Sequence, residues 1–329
     1  MDLEEFLAEW HNDNRYVRVH TSGSTGAPKA MLVDKRRMEA SARITCQFLG
    51  LKTGDSALLC LPLDYIAGKM MVVRALTCGL QLVAVPPTGT PEWSGTIDFA
   101  AMVPMQVWNL LHQEEGRERL MQIRQLIIGG GSIDPVLAAT LANFPNNIWS
   151  TYGMTETLSH IALRRINGPE ASDYYTPLPG VSLSQDKEGC LIIDAPAVHD
   201  GPLVTNDIAE MGRMEASALS SAERVTFRIL GRRDNVICSG GIKIQIEEVE
   251  RRLQPHFKAP FCITKREDPR LGEAVVLLTE DRDIATQKMI CEKELPRYWQ
   301  PRHYIRVKRI PMTETGKIAR KEAEAMAST

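Results

Sequence analysis

The chain has 329 residues, 43% hydrophobic and 24% charged, with a formal net charge of −2 at pH 7. That length suits about two domains with sizeable cores, and the near-zero charge excludes the basic footprint of a nucleic-acid binder. The seven cysteines are odd in number and lack C-x-x-C spacing, which argues against a disulfide framework or a zinc ribbon.

The first residues are acidic and apolar at helical spacing (Leu3, Phe6, Leu7, Trp10), giving a short amphipathic helix. No basic, apolar leader pattern precedes it, and no run of about 18 apolar residues follows anywhere, so neither a signal peptide nor a membrane span is expected. Reduced thiols in a cytoplasmic protein are the matching expectation.

Residues 16–20 read as a strand that runs into a loop of small residues, Thr21-Ser22-Gly23-Ser24-Thr25-Gly26-Ala27-Pro28-Lys29. Helical periodicity then covers 38–49, a strand 57–61 and an apolar helix 70–76. Strands at 80–85, 125–128 and 147–150 alternate with helices at 105–111 and 135–141. Such alternation predicts an α/β fold with a largely parallel sheet. From Cys190 the pattern changes to short β segments at 191–193 and 225–230, a small β unit. After Asp234 a compact α+β pattern follows: strands at 236–238, 274–278 and 304–307, helices at 247–253 and 285–295. The expected division is therefore 1–234 and 235–329.

The loop at 21–29 carries the first chemical signal. Its glycines let backbone N–H groups approach an anion, its hydroxyls donate to phosphate oxygens, and Lys29 adds a positive charge. It is not the G-x-x-x-x-G-K-[ST] loop, since Gly23 and Gly26 are too close and Pro28 precedes the lysine. The loop resembles the T-S-G-S-T-G-x-P-K phosphate loop of the adenylate-forming superfamily of acyl-CoA synthetases, adenylation domains and luciferases. Four further stretches resemble that superfamily's motifs in order: Tyr152-Gly153-Met154-Thr155-Glu156, Thr205-Asn206-Asp207 with Asn in place of Gly, Gly231-Arg232-Arg233-Asp234-Asn235, and Pro311-Met312-Thr313-Glu314-Thr315-Gly316-Lys317-Ile318.

The resemblance implies an enzyme that uses ATP, Mg²⁺ and coenzyme A. Thr21, Ser22, Gly23, Ser24, Thr25, Gly26 and Lys29 would hold phosphates. Tyr152 offers a ring for adenine to stack on, and Gly129, Gly130, Gly131 and Gly153 let ligand pass close to the backbone. Thr155 can donate to the α-phosphate, and Glu156 is a hard carboxylate suited to Mg²⁺. Asp207 can accept both ribose hydroxyls, and Arg232 can donate to the same sugar. Lys317 is implied as the adenylation lysine, its ammonium bridging two anions that react. Asp234 is implied as the hinge of a mobile C-terminal lid. Ser239, Gly240 and Gly241 would then approach coenzyme A. The superfamily carries a long N-terminal subdomain ahead of its phosphate loop; only residues 1–20 stand there, so an N-terminally trimmed version of the fold is expected.

For the acid, residues 61–70 resemble the superfamily's L-P-L-x-H-x-x-G, with Tyr65 in the His position. Arg74 follows, alone in an apolar helix. If buried it needs a partner, and an internal acid or an anion on the substrate would each serve. Together with Ser159, His160 and Lys69, this pattern is most similar to the o-succinylbenzoate–CoA ligases of menaquinone synthesis, whose small-molecule substrate carries two carboxylates. Two other readings stay open from sequence: an enzyme loading a carrier protein, and a nucleotide-binding protein without turnover.

Overall fold

The computed structural model describes residues 1–20, 30–214, 224–313 and 317–328. The chain opens with α1 (Leu3–His11), whose N-cap Asp2 and Glu5 form a reciprocal capping box. Strands β1 (Tyr16–His20) and β2 (Ala30–Asp34) pair antiparallel with His20 opposite Ala30. Segment 21–29 thus joins two paired strands rather than leading straight into a helix. Asp34 ends β2 and caps α2 (Lys35–Phe48), accepting from the Arg36 amide and from Arg15.

Next come β3 (Ser56–Leu59), α3 (Ile66–Cys78), β4 (Gln81–Ala84), β5 (Ile97–Met102), α4 (Pro104–Leu111), α5 (Glu114–Met121), β6 (Ile123–Ile128), α6 (Pro135–Leu141) and β7 (Asn147–Gly153). Strands β8 (His160–Arg165) and β9 (Thr176–Pro177) complete a seven-stranded sheet in the order β4-β3-β5-β6-β7-β8-β9. Pairing is parallel from β4 to β7 and antiparallel beyond. The parallel part needs the helical crossovers that the alternating pattern predicted. It is buried on both faces. One core packs α2 and α3 around Phe99, Ile127 and Leu163; the other packs α4 to α6 around Leu126, Ile128 and Ile148.

Strands β10 (Ser182–Gln185), β11 (Cys190–Asp194), β12 (Leu203–Met214) and β13 (Arg224–Arg232) form an antiparallel four-stranded sheet. From Val236 onward a separate sheet collects β14 (Val236–Ser239), β15 (Ile242–Gln245), β16 (Phe261–Asp268), β17 (Gly272–Thr279) and β18 (His303–Arg306). Helices α7 (Ile246–Leu253), α8 (Ile284–Glu294) and α9 (Arg320–Ser328) cover it, with its own buried residues around Ile263, Val275 and Leu277. No helix among the described residues is long and apolar enough to cross a membrane.

One glycine fixes where α3 starts. A Cβ on Gly68 would lie 2.3 Å from the Pro62 carbonyl oxygen and 2.9 Å from that of Leu61. Both obstacles are backbone, so neither can step aside. Gly68→Ala is expected to destabilise the fold by about 1–3 kcal/mol, read as a lower denaturant midpoint at unchanged slope.

Candidate active site

The ends of β7 and β13 meet the first half of β12 over a group of complementary side chains. Tyr152, near the end of β7, donates its hydroxyl to Asp207 Oδ2 at 2.7 Å. Its ring stands edge-on to Phe227 (centroids 5.1 Å apart) and near Tyr175. Burial first, and then the Asp207 charge, push the Tyr152 hydroxyl far above its usual range, so it stays a donor. Asp207 sits opposite Arg232 in the β12–β13 register, and its amide donates to Thr205 Oγ1. Arg232 Nη2 donates to Asp234 Oδ2 at 3.2 Å.

Lys317 comes to this group from the far end of the chain. Burial, followed by the positive charge of Arg232, holds its ammonium below the usual lysine range, and Asp207 partly offsets this. Tyr152, Asp207 and Arg232, separated by up to 80 positions, are therefore neighbours, and Lys317 lies within the electrostatic reach of Asp207 and Arg232.

Tight backbone surrounds them. Gly130 adopts φ 79° after β6, a left-handed conformation that favours glycine. A Cβ on Gly153 would lie 2.3 Å from the Ser159 carbonyl oxygen. Between these sits a short turn, Thr155–Thr157, closed by Leu158 at φ 65°, the one non-glycine positive φ among the described residues. Burial of the Leu158 side chain (3% exposed) offsets that strain. The turn leaves Glu156 exposed and without an ion-pair partner among the described residues, beside Thr155.

A second polar group is buried below. Arg74, 2% exposed, donates from Nη2 to Ser159 Oγ at 2.6 Å and lies 5.8 Å over the Phe99 ring. Its Nε finds no partner, and no carboxylate pairs with it among the described residues. Burial pushes its pKa down to about 10. His160 Nδ1 lies 3.3 Å from Ser159 Oγ, and its Nε2 lies 3.2 Å from Thr45 Oγ1. Burial and the Arg74 charge keep this imidazole neutral. Because Arg74 is a donor only, Ser159 Oγ accepts from it and can pass its own proton toward His160 Nδ1. That assigns the Nε2–H tautomer, donating to Thr45.

Other sequence-derived residues fall elsewhere. Lys69 is buried against α1, 3.4 Å from Glu9 and 4.7 Å from the centre of the Phe6 ring, and so stands apart from the Arg74 group. Tyr65 caps α3 without a side-chain hydrogen bond to the helix. Asp234 lies in the short turn Arg233–Asn235 and also accepts from Asn206 Nδ2 at 3.3 Å. Ser239, Gly240 and Gly241 form the turn of the β14–β15 hairpin. The phosphate-loop candidates Thr21 to Gly26 and Lys29 lie outside the described residues. Sequence reading missed Thr45, Tyr175 and Phe227; a hydroxyl in a helix and aromatics in short strands carry no local signal of a shared site.

The AMP-binding enzyme family matches residues 4–192. The 2-succinylbenzoate–CoA ligase of Salmonella typhimurium is 27% identical over 310 residues, covering 91% of this chain and 66% of that protein. An acyl-CoA synthetase (AMP-forming)/AMP-acid ligase II-like protein from Dyadobacter fermentans has a crystal structure with TM-score 0.63 and 33% identity, covering 98% of this chain and 92% of its own. The o-succinylbenzoate CoA synthetase of Bacillus subtilis, solved with its acyl-adenylate intermediate, gives TM-score 0.73 at 21% identity, covering 93% of this chain and 68% of its own, a likeness of fold. With the family matched over more than half its length, and a relative of this identity along nearly all of it, the chain belongs to the AMP-binding enzymes.

Proposed function

We propose that this chain is an acid–thiol ligase that activates a carboxylic acid with ATP and passes the acyl group to coenzyme A. The observation that carries this reading is the grouping of Tyr152, Asp207 and Arg232 at the strand ends, with Lys317 within the electrostatic reach of Asp207 and Arg232. Tyr152 would stack on adenine and Asp207 would receive the ribose hydroxyls, with Arg232 beside them. The acid's carboxylate oxygen attacks the α-phosphorus, a new P–O bond forms, and pyrophosphate leaves. Lys317 would hold the two anions together as they react, in surroundings where the low dielectric strengthens the attraction of its ammonium for them. Thr155 would donate to the α-phosphate. Glu156, exposed and unpaired, is a hard oxygen donor that fits Mg²⁺, which when bound neutralises phosphate charge. Phosphates would rest on the loop Thr21 to Lys29 and on the backbone at Gly129 to Gly131.

In the second step the coenzyme A sulfur attacks the acyl carbon and AMP leaves. The separate sheet formed from Val236 onward supports a lid, 235–329, that would turn about Asp234 and bring Ser239 to Gly241 to the thiol. For the acid we propose o-succinylbenzoate. Arg74 supports this, as a buried cation whose charge no described residue balances. Ser159 and His160, hydrogen-bonded beside Arg74, would face the same acid, with Tyr65 proposed to gate it; Lys69, held by Glu9, leaves Arg74 as the cation for the second carboxylate.

The test is pyrophosphate release over a panel of acids, with and without coenzyme A. Release with o-succinylbenzoate, and a thioester only when coenzyme A is added, is the expected result. A better monocarboxylic acid would overturn the substrate, a thioester only on a phosphopantetheinyl protein would overturn the acceptor, and no release with any acid would overturn the enzyme.

A further inference from the structure

Lys317 is followed by an ion pair, Arg320–Glu250, that lies outside the motif stretches. The lysine lies on a tight antiparallel segment: the Thr313 amide donates to the Lys317 carbonyl at 2.7 Å, the Lys317 amide to Thr313 Oγ1 at 3.1 Å, and the Ala319 amide to the Pro311 carbonyl at 2.9 Å. The next residue, Arg320, begins α9 and makes a fork onto Glu250 of α7. Its Nη1 meets Oε1 and its Nη2 meets Oε2, both at 2.7 Å. Nη1 also donates to the Ile263 carbonyl at 3.0 Å, while the Ile263 amide donates to Glu250 Oε1 at 2.8 Å. The clasp thus ties α9, α7 and β16 at one point, largely shielded from water (side chains 24% and 15% exposed).

The buried contacts of α9 are Ala323 and Ala327, packed on Cys262, Val276 and Leu278. Two methyl groups bury little area and tolerate a roll or a slide of the helix. A planar fork with two parallel hydrogen bonds does not. Only Ile318 and Ala319 separate the fork from Lys317, so a roll of α9 would be passed to the lysine.

We infer that the Arg320–Glu250 clasp is a positioning device for Lys317, fixing residues 317–319 against 311–313 so that the ammonium is held in place for acid activation. This rests on the reading that Lys317 serves acid activation. Both clasp residues are engaged with each other and with the Ile263 backbone. A misplacement of about 1 Å at a reacting group costs on the order of 10² in rate.

The experiment measures both half-reactions separately: pyrophosphate release with o-succinylbenzoate, and thioester formation from the pre-made o-succinylbenzoyl adenylate. Arg320→Lys keeps the charge and loses the fork. It is expected to slow adenylation about 10- to 100-fold while thioester formation stays within about threefold. Glu250→Gln, which keeps the shape and one acceptor, is expected to show the same split and serves alone if Arg320→Lys does not fold. Equal losses in both half-reactions, or full adenylation in both variants, would overturn the clasp. Lys317→Ala separates the two ideas. If it spares adenylation, the reading of Lys317 fails and the clasp's role with it; if it does not, and the clasp variants are silent, the clasp alone is wrong.

Discussion

Lys317→Ala is expected to lower acyl-adenylate formation by about 10²–10³-fold, the usual loss when one preorganised charge is removed from a reacting centre. Thioester formation from pre-made adenylate should be spared, because the lid would have turned the lysine away by then. The alkaline side of the pH profile gives a second check. Burial and Arg232 hold this ammonium below the ordinary lysine value of 10.5. Raising the pH through that lowered pKa removes the needed proton, so kcat/KM for adenylation should fall below pH 10.5. Lys317→Arg should lose that limb whatever its absolute rate. Equal losses in both half-reactions in Lys317→Ala would refute the assignment of the lysine to one step.

The parts of this fold that carry a clear period were readable from the chain. Residues 135–141 are helical as the periodicity predicted, and the parallel strands β3, β4, β6 and β7 follow their apolar runs, whereas the central strand β5 (Ile97–Met102) was not read. Those that depend on partners were not. Helix α5 (Glu114–Met121) buries only Gly116 and Leu120, so it has no apolar stripe to detect. Strand β16 (Phe261–Asp268) starts apolar and ends in charges that β17 pairs. The site divides the same way. Tyr152, Asp207, Arg232 and Lys317 stand in recognisable motifs because the backbone around them must fit a ligand. Glu9 and Thr45, by contrast, partner Lys69 and His160 through packing of α1 and α2, which no spacing announces. That is why Lys69 and Arg74 looked alike in sequence. Two positions in one helix carry the same charge, and only tertiary packing gives one of them a carboxylate.

Arg74 is the residue on which the identity of the acid turns. A charge-assisted hydrogen bond to a buried carboxylate contributes about 1.5–3 kcal/mol, so Arg74→Ala should lower kcat/KM for o-succinylbenzoate about 10- to 100-fold. An analogue lacking the second carboxylate leaves the guanidinium unmatched in wild type and should lose little further in the variant. Stability supplies the opposite sign. A lone buried cation is costly, and the Arg74 pKa, pushed down to about 10, reflects that cost. Arg74→Met fills similar volume without the charge, so the ligand-free protein should melt no lower than wild type, and possession of the cation should count only when the diacid is bound. The diacid should accordingly raise the melting temperature of wild type and leave Arg74→Met almost unmoved. Had an internal acid balanced Arg74, the variant would melt lower and lose activity equally on diacid and analogue. That pair of results would remove the argument for a dicarboxylic substrate while leaving acid activation at Lys317 untouched.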